Sequence, residues 1–259
     1  MGAQIISPQD DASGIELDGE PITVDDITVL PRIPAPDPLL ARERPVKSVT
    51  TAPSAFEGEG FPVRRAFAGV PLAELDPFVH LDQMGEVHYA PGEPKGTPWH
   101  PHRGFETITY LLAGRMRHRD SSGHAADLGP GDVQWMTAGS GVVHSELPHP
   151  QLLRKGGRVH GFQIWLNLPP EKKLVPAHFG MLWSEDIPTL APAPGVSVDV
   201  IAGAIGDARP PSPPPDSWGS DPTGELEIWL IRLADGAAWE LPPARPGVNR
   251  MLHCFLGDA

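Results

Sequence analysis

Phe162-Gln163-Ile164-Trp165-Leu166-Asn167-Leu168 alternates with a period of two. On an extended chain Gln163, Trp165 and Asn167 share one face, and Phe162, Ile164, Leu166 and Leu168 share the other. Both faces carry large groups, so one is read against a core and the other against a polar cavity or a neighbouring sheet. Working outward, short β-prone pieces alternate with Gly, Pro and Asp turns. They are Val63 to Ala66, Phe78 to Leu81, Glu86 to Tyr89, Glu106 to Leu112, Met116 to Arg119, Asp132 to Met136, Val142 to Glu146 and His160 to Leu168. This spacing predicts an all-β chain, an antiparallel barrel or sandwich, rather than helices laid between parallel strands. The 28 glycines and 33 prolines also disfavour long helices.

Seven acids precede the first basic residue, Arg32, and prolines cluster around it at Pro31, Pro34, Pro36 and Pro38. Residues 1–45 therefore read as an acidic, Pro-rich extension with at most one short strand, Ile22 to Val24 or Ile27 to Leu30. Residues 169–198 read as a connector with a short helix around Lys172. Residues 199–207 read as a strand entering a glycine turn, and Leu226 to Leu233 as a further strand. Thr109-Tyr110-Leu111-Leu112-Ala113-Gly114 and Leu252-His253-Cys254-Phe255-Leu256-Gly257 share an outline, a strand ending at a glycine, as a duplicated barrel would produce.

The 259 residues suffice for one large domain or two modest ones. A net charge of −13 argues against binding nucleic acid by neutralising phosphates. It leaves a protein partner or an anionic ligand held in a local pocket open. Cys254 stands alone and fits a reduced compartment. No basic segment followed by a long apolar stretch opens the chain, and no apolar run reaches ~18 residues. The expectation is a cytoplasmic protein without a membrane span.

The chemistry concentrates in Thr97-Pro98-Trp99-His100-Pro101-His102-Arg103-Gly104-Phe105-Glu106-Thr107 and in Gly139-Ser140-Gly141-Val142-Val143-His144-Ser145-Glu146. His100 and His102 are two apart, so an extended strand aims both imidazoles the same way, within reach of one ion. Pro101 between them predicts an edge strand or a bulge. His144 and Glu146 repeat the spacing. Placed on facing strands, the two pairs supply three imidazoles and one carboxylate, a set that suits Fe(II), Mn(II), Ni(II), Cu(II) or Zn(II). An octahedral ion would keep two positions for water, substrate or dioxygen. Glu106 has the same parity as the histidines if no bulge intervenes. His118 is read as lining the barrel near the site. His80, His88, His124, His149 and His178 have no comparable pairing and read as structural or solvated.

At these residues the sequence resembles the pirin family of the cupin superfamily. The resemblance rests on Asp76-Pro77-Phe78-Val79-His80-Leu81-Asp82 and on His100 through Tyr110. It continues through His118-Arg119-Asp120-Ser121, Gly131 through Gly139, His144-Ser145-Glu146 and Gln163 through Pro169. It implies cupin barrels of the double-stranded β-helix (jelly-roll) type, arranged as a bicupin with an apparently truncated C-terminal barrel. The implied divisions are a metal-binding domain at 46–176, a linker and crossing segment at 177–198 and a partial second barrel at 199–259. It implies mononuclear Fe(II), with His100, His102, His144 and Glu146 as ligands. General cupins would instead take Glu106, so Glu106 becomes a carboxylate that orients a histidine or holds a water.

Some pirin-like proteins open flavonols such as quercetin with dioxygen and release carbon monoxide. The resemblance therefore implies a quercetin 2,3-dioxygenase-like oxidoreductase with dioxygen and a flavonol-like aromatic as partners. Glu146, on loosening from the metal, or Glu106 would accept the hydroxyl proton, and Trp99, Phe105, Trp135 and Met136 would supply either apolar pocket surface or ordinary core. Two other readings stand beside it. One is a redox-responsive iron-binding module that acts through a protein partner, and the other is a relic that keeps its metal without turnover.

Overall fold

The computed structural model describes residues 45–257 apart from 222–224, 243, 245 and 246, together with two short paired strands nearer the N-terminus. Those two are β1 (Glu16–Leu17) and β2 (Glu20–Pro21). The strands expected at Ile22 to Val24 or Ile27 to Leu30 lie outside the described residues.

Three further sheets follow, with every pairing antiparallel. The largest is built from β3 (Ser54–Glu57), β4 (Phe61–Arg65), β5 (Phe78–Tyr89), β7 (Phe105–Ala113), β10 (Val133–Thr137), β12 (Gly157–Asn167) and β13 (His178–Leu182). Its order is β13-β10-β7-β12-β5-β4-β3. A second sheet, β6-β11-β8-β9, comprises β6 (Thr97–His102), β8 (Met116–Asp120), β9 (Ala125–Leu128) and β11 (Val142–Pro148). The third joins β14 (Thr189–Leu190), β15 (Val196–Ala202) and β16 (Ile228–Leu233). One six-residue helix, Pro150–Lys155, precedes β12. The all-β antiparallel expectation is met. Among the described residues no sheet closes on itself, and no helix is long and apolar enough to cross a membrane.

The alternation at 162–168 organises the layers. Phe162, Ile164 and Leu166 of β12 join Ile108, Tyr110, Val133 and Trp135 in the principal core. That face of the large sheet packs on Ile201, Ala202, Ile228 and Leu230 of the third sheet. The opposite face carries Thr109, Gln134, Gln163 and Trp165, and its hydrogen bonds reach across to β11 of the second sheet. Polar residues are therefore enclosed between two sheets, which is where buried groups need partners.

Several local departures have physical reasons. Phe78 to Leu81 and Glu86 to Tyr89 are two parts of one long strand, β5. The segment read as a linker contributes β13, which pairs with β10 and covers an edge of the large sheet. Leu252 to Leu256 is not a strand. Phe255 instead packs its ring against Phe162, on the face of the sheet, where no backbone ladder is available. Gly139, at φ +48°, closes the turn before β11 so tightly that a Cβ would lie 2.2 Å from the Val175 oxygen.

Candidate metal centre

β6 is the outer strand of its sheet, as Pro101 requires, since proline has no N–H for a ladder. Its pairing with β11 sets His144 opposite His100, and the register shifts between His144 and Glu146. Ring nitrogens of His100, His102 and His144 lie within 4.8 Å of one another, and among the described residues they form the candidate metal-holding cluster. Their ring centroids are 4.3 to 4.8 Å apart. His102 and His144 are buried, and His100 is half-buried.

Two imidazoles are ready as ligands. His100 Nδ1 lies 2.7 Å from the Pro98 carbonyl, which can only accept, so its proton sits on Nδ1 and Nε2 carries a lone pair. His144 Nε2 is buried without a hydrogen-bond partner. A native interior rarely leaves such an atom unpaired, and an ion bound there would satisfy it. Burial and the neighbouring imidazoles lower His102 to about 4 and His144 to about 3. Both rings are neutral at pH 7, the state a metal needs.

Glu146 stands beside this cluster but outside the mutual 4.8 Å grouping. Its Oε1 accepts from Gln134 Nε2 at 3.1 Å and from Thr109 Oγ1 at 2.8 Å. Thr109 Oγ1 is also 2.7 Å from Gln163 Oε1. A hydroxyl has one proton, so Thr109 serves Glu146 when the Gln163 amide turns to donate. Glu146 is near enough to favour protonation of His102 and His118.

Glu106 is elsewhere. The chain crosses between sheets at Arg103–Gly104, where Gly104 has φ +77°. Strand parity does not carry across such a crossing, and Glu106 points to the opposite face of the large sheet. Its carboxylate accepts from Trp135 Nε1, Thr137 Oγ1 and the Trp218 backbone N–H, none of which belongs to a histidine. Of the four side chains considered for the pocket, only Phe105 meets a candidate ligand, edge to face with His102 at 5.0 Å between centroids. Met136 packs with Ala138 and Val142, Trp135 lies in the far core, and Trp99 is 59 % exposed. The wall by His102 comes instead from Trp165, which also stacks on His80. The two-residue alternation had placed Trp165 and Gln163 on one face, but nothing local marked that face as the site. His118 lies where expected, fully buried and 3.3 Å from His144.

The low values of His102 and His144 set an acid limit on the metal-free protein. An unfolded chain protonates these rings near 6.5, whereas the folded one resists until about 4 and 3. Between those limits the unfolded state holds more protons, so stability is full above pH 6.5 and falls as pH drops. Each ring contributes a slope of about 1.4 kcal/mol per pH unit. Urea unfolding of the metal-free wild type is therefore expected to weaken more steeply between pH 6 and pH 4 than that of His144→Ala. Equal slopes would contradict the buried neutral imidazole.

Comparison with known proteins places this arrangement. The Pirin family profile matches residues 60–166, the stretch that contains all three histidines. A pirin-like protein from Caulobacter vibrioides is 43 % identical over 162 residues, covering 62 % of this chain and 56 % of its own. Human pirin is 44 % identical over 148 residues, covering 57 % and 47 %. The crystal structure of a quercetin 2,3-dioxygenase from Acinetobacter baumannii aligns with TM-score 0.61 and 37 % identity, over 69 % of this chain and 60 % of that one. The chain thus spans about half the length of the curated relatives it matches. With its signature segment, its antiparallel sheets and its histidine cluster in agreement, residues 60–166 of the chain belong to the pirin family.

Proposed function

We propose that this chain is an Fe(II)-dependent oxidoreductase of the quercetin 2,3-dioxygenase type, holding its metal with His100, His102, His144 and Glu146. The observation that carries the reading is the unpartnered, buried Nε2 of His144 facing two further imidazoles. In this reading the strands of the two facing sheets that lie within residues 46–176 form the metal-binding cupin barrel, and β13 is added to its large sheet from the crossing segment at 177–198. β16 and the end of β15 belong to a second, partial barrel at 199–259. The resemblance of this chain to quercetin dioxygenases supports dioxygen and a flavonol-like aromatic as substrates.

Bound Fe(II) would supply a cationic position for a flavonol 3-oxyanion and for dioxygen. The protein supplies the rest. Glu146 would accept the 3-hydroxyl proton at the carboxylate oxygen that Thr109 and Gln134 leave unbonded, once that oxygen loosens from the metal. Trp165 and Phe105, with centroids 4.9 Å apart, present flat apolar surface next to His102 against which an aromatic ring can stack. Overall, one flavonol and one dioxygen yield the ring-opened ester and one carbon monoxide. Glu106 takes no part in this scheme, because its oxygens are engaged on the other face of the sheet.

The test is anaerobic loading with Fe(II), followed by oxygen uptake and carbon monoxide release with quercetin. Equimolar quercetin-dependent consumption and release support the reading. Tight iron binding without uptake would remove flavonol turnover and favour a redox-responsive module acting through a protein partner.

A further inference from the structure

His118 and Asp120 lie behind the candidate ligands, and the proposed metal site does not use them as ligands. Asp120 Oδ2 is 3.2 Å from His118 Nε2, and His118 Nδ1 is 3.3 Å from His144 Nδ1. His118 is fully buried, with its ring stacked 4.5 Å from Phe179, and Asp120 is buried as well. We infer that Asp120 and His118 are positioning residues that fix the tautomer of His144 and so present its Nε2 lone pair to the metal. This rests on the metal-centre reading above.

The inference follows from counting protons along three atoms. A carboxylate can only accept, so His118 carries its proton on Nε2. A neutral His118 then has a bare Nδ1. The 3.3 Å contact needs one proton, which must come from His144 Nδ1. His144 Nε2 is left bare, and it is the atom that lacks a partner in the buried site. The other end of the chain is anchored too. Asp120 Oδ1 accepts from the backbone N–H groups of Ser122 and His124, at 2.8 and 3.0 Å, and His124 Nδ1 lies 2.8 Å from Oδ2. The β-turn thus holds the carboxylate in place, the carboxylate sets one ring, and that ring sets the next. Carboxylate–histidine–metal triads use the same logic with one ring fewer.

Asp120→Asn is the discriminating variant. The two backbone N–H groups hold the amide oxygen at the Oδ1 position, which puts the NH2 group against His118. An NH2 donor favours a bare His118 Nε2, which moves its proton to Nδ1 and, in turn, moves the His144 proton to Nε2. The variant is nearly isosteric, yet it is expected to invert both rings and to weaken Fe(II) binding by about 10–100-fold.

The readouts are long-range proton–nitrogen NMR of the imidazoles in the metal-free protein, and anaerobic Fe(II) titration of the wild type and the variant. We expect the wild type to show His118 with Nε2–H and His144 with Nδ1–H, and the variant to show the reverse with weaker iron binding. The spectrum of the wild type decides the tautomers even if the variant fails to fold. A His144 protonated on Nε2 in the wild type overturns the inference, as does a folded Asp120→Asn that binds iron as tightly as the wild type. A wild type with the expected tautomers that takes up no Fe(II) overturns the metal reading, and with it the purpose assigned to the relay.

Discussion

His144→Ala is expected to leave a folded protein that retains no iron after desalting and shows no quercetin-dependent oxygen uptake. The loss of affinity should exceed the about 10–100-fold that follows removal of an outer partner, because a ligand itself is gone. His144 is completely buried, and its ring lies next to both His100 and His102. The two remaining imidazoles are neighbours on an outer strand, and one of them is half-buried at most. The effect on the metal-free fold should be much smaller. Removing the ring opens a cavity and leaves the buried His118 Nδ1 without its donor, but it also removes the unpartnered Nε2, whose desolvation costs about 1–3 kcal/mol. The last contribution opposes the first two. Iron stoichiometry by elemental analysis and urea unfolding of the metal-free proteins separate them. One iron per chain retained by His144→Ala would remove the three-histidine centre from the account.

The difference between what the sequence shows and what the structure adds comes down to how far a local rule reaches. His100-Pro101-His102 and His144-Ser145-Glu146 could be read because period-two geometry acts within one strand, and Pro101 placed the first pair on an outer strand. The alternation at 162–168 separated core from cavity for the same reason. Glu106 could not be assigned this way. Its parity with the histidines was counted through Arg103–Gly104, where the chain leaves one sheet for another. Leu252 to Leu256 has a strand's composition, but apolar residues also serve to pack on a face, as Phe255 does. The tautomer chain through His118 required distances between β8 and β11, strands brought together only by pairing. Glu146's partners Thr109 and Gln134 likewise come from the sheet opposite.

Glu106→Gln should cost about 2–4 kcal/mol of folding stability and leave iron affinity unchanged. Glu106 is fully buried and accepts three hydrogen bonds. Oε1 takes the Trp218 backbone N–H, and Oε2 takes Trp135 Nε1 and Thr137 Oγ1. A glutamine keeps the shape but replaces one oxygen by a donor. With the NH2 group at the Oε1 position it meets the Trp218 N–H. With the NH2 group at Oε2 it meets the Trp135 indole N–H, and only the Thr137 hydroxyl can rotate to accept from it. Either orientation leaves a buried donor unpaired, at about 1–3 kcal/mol, and forfeits charge-assisted bonds. The damage falls on the contact that ties the segment around Trp218 to the central sheet, so protease cleavage near residues 210–221 should become faster in the variant. None of it reaches the histidines, which stand on the other face. Urea unfolding, limited proteolysis and Fe(II) titration of the same preparation test each part. A variant of normal stability that loses iron or turnover would return Glu106 to the metal centre and overturn its assignment as the carboxylate that holds the two layers together.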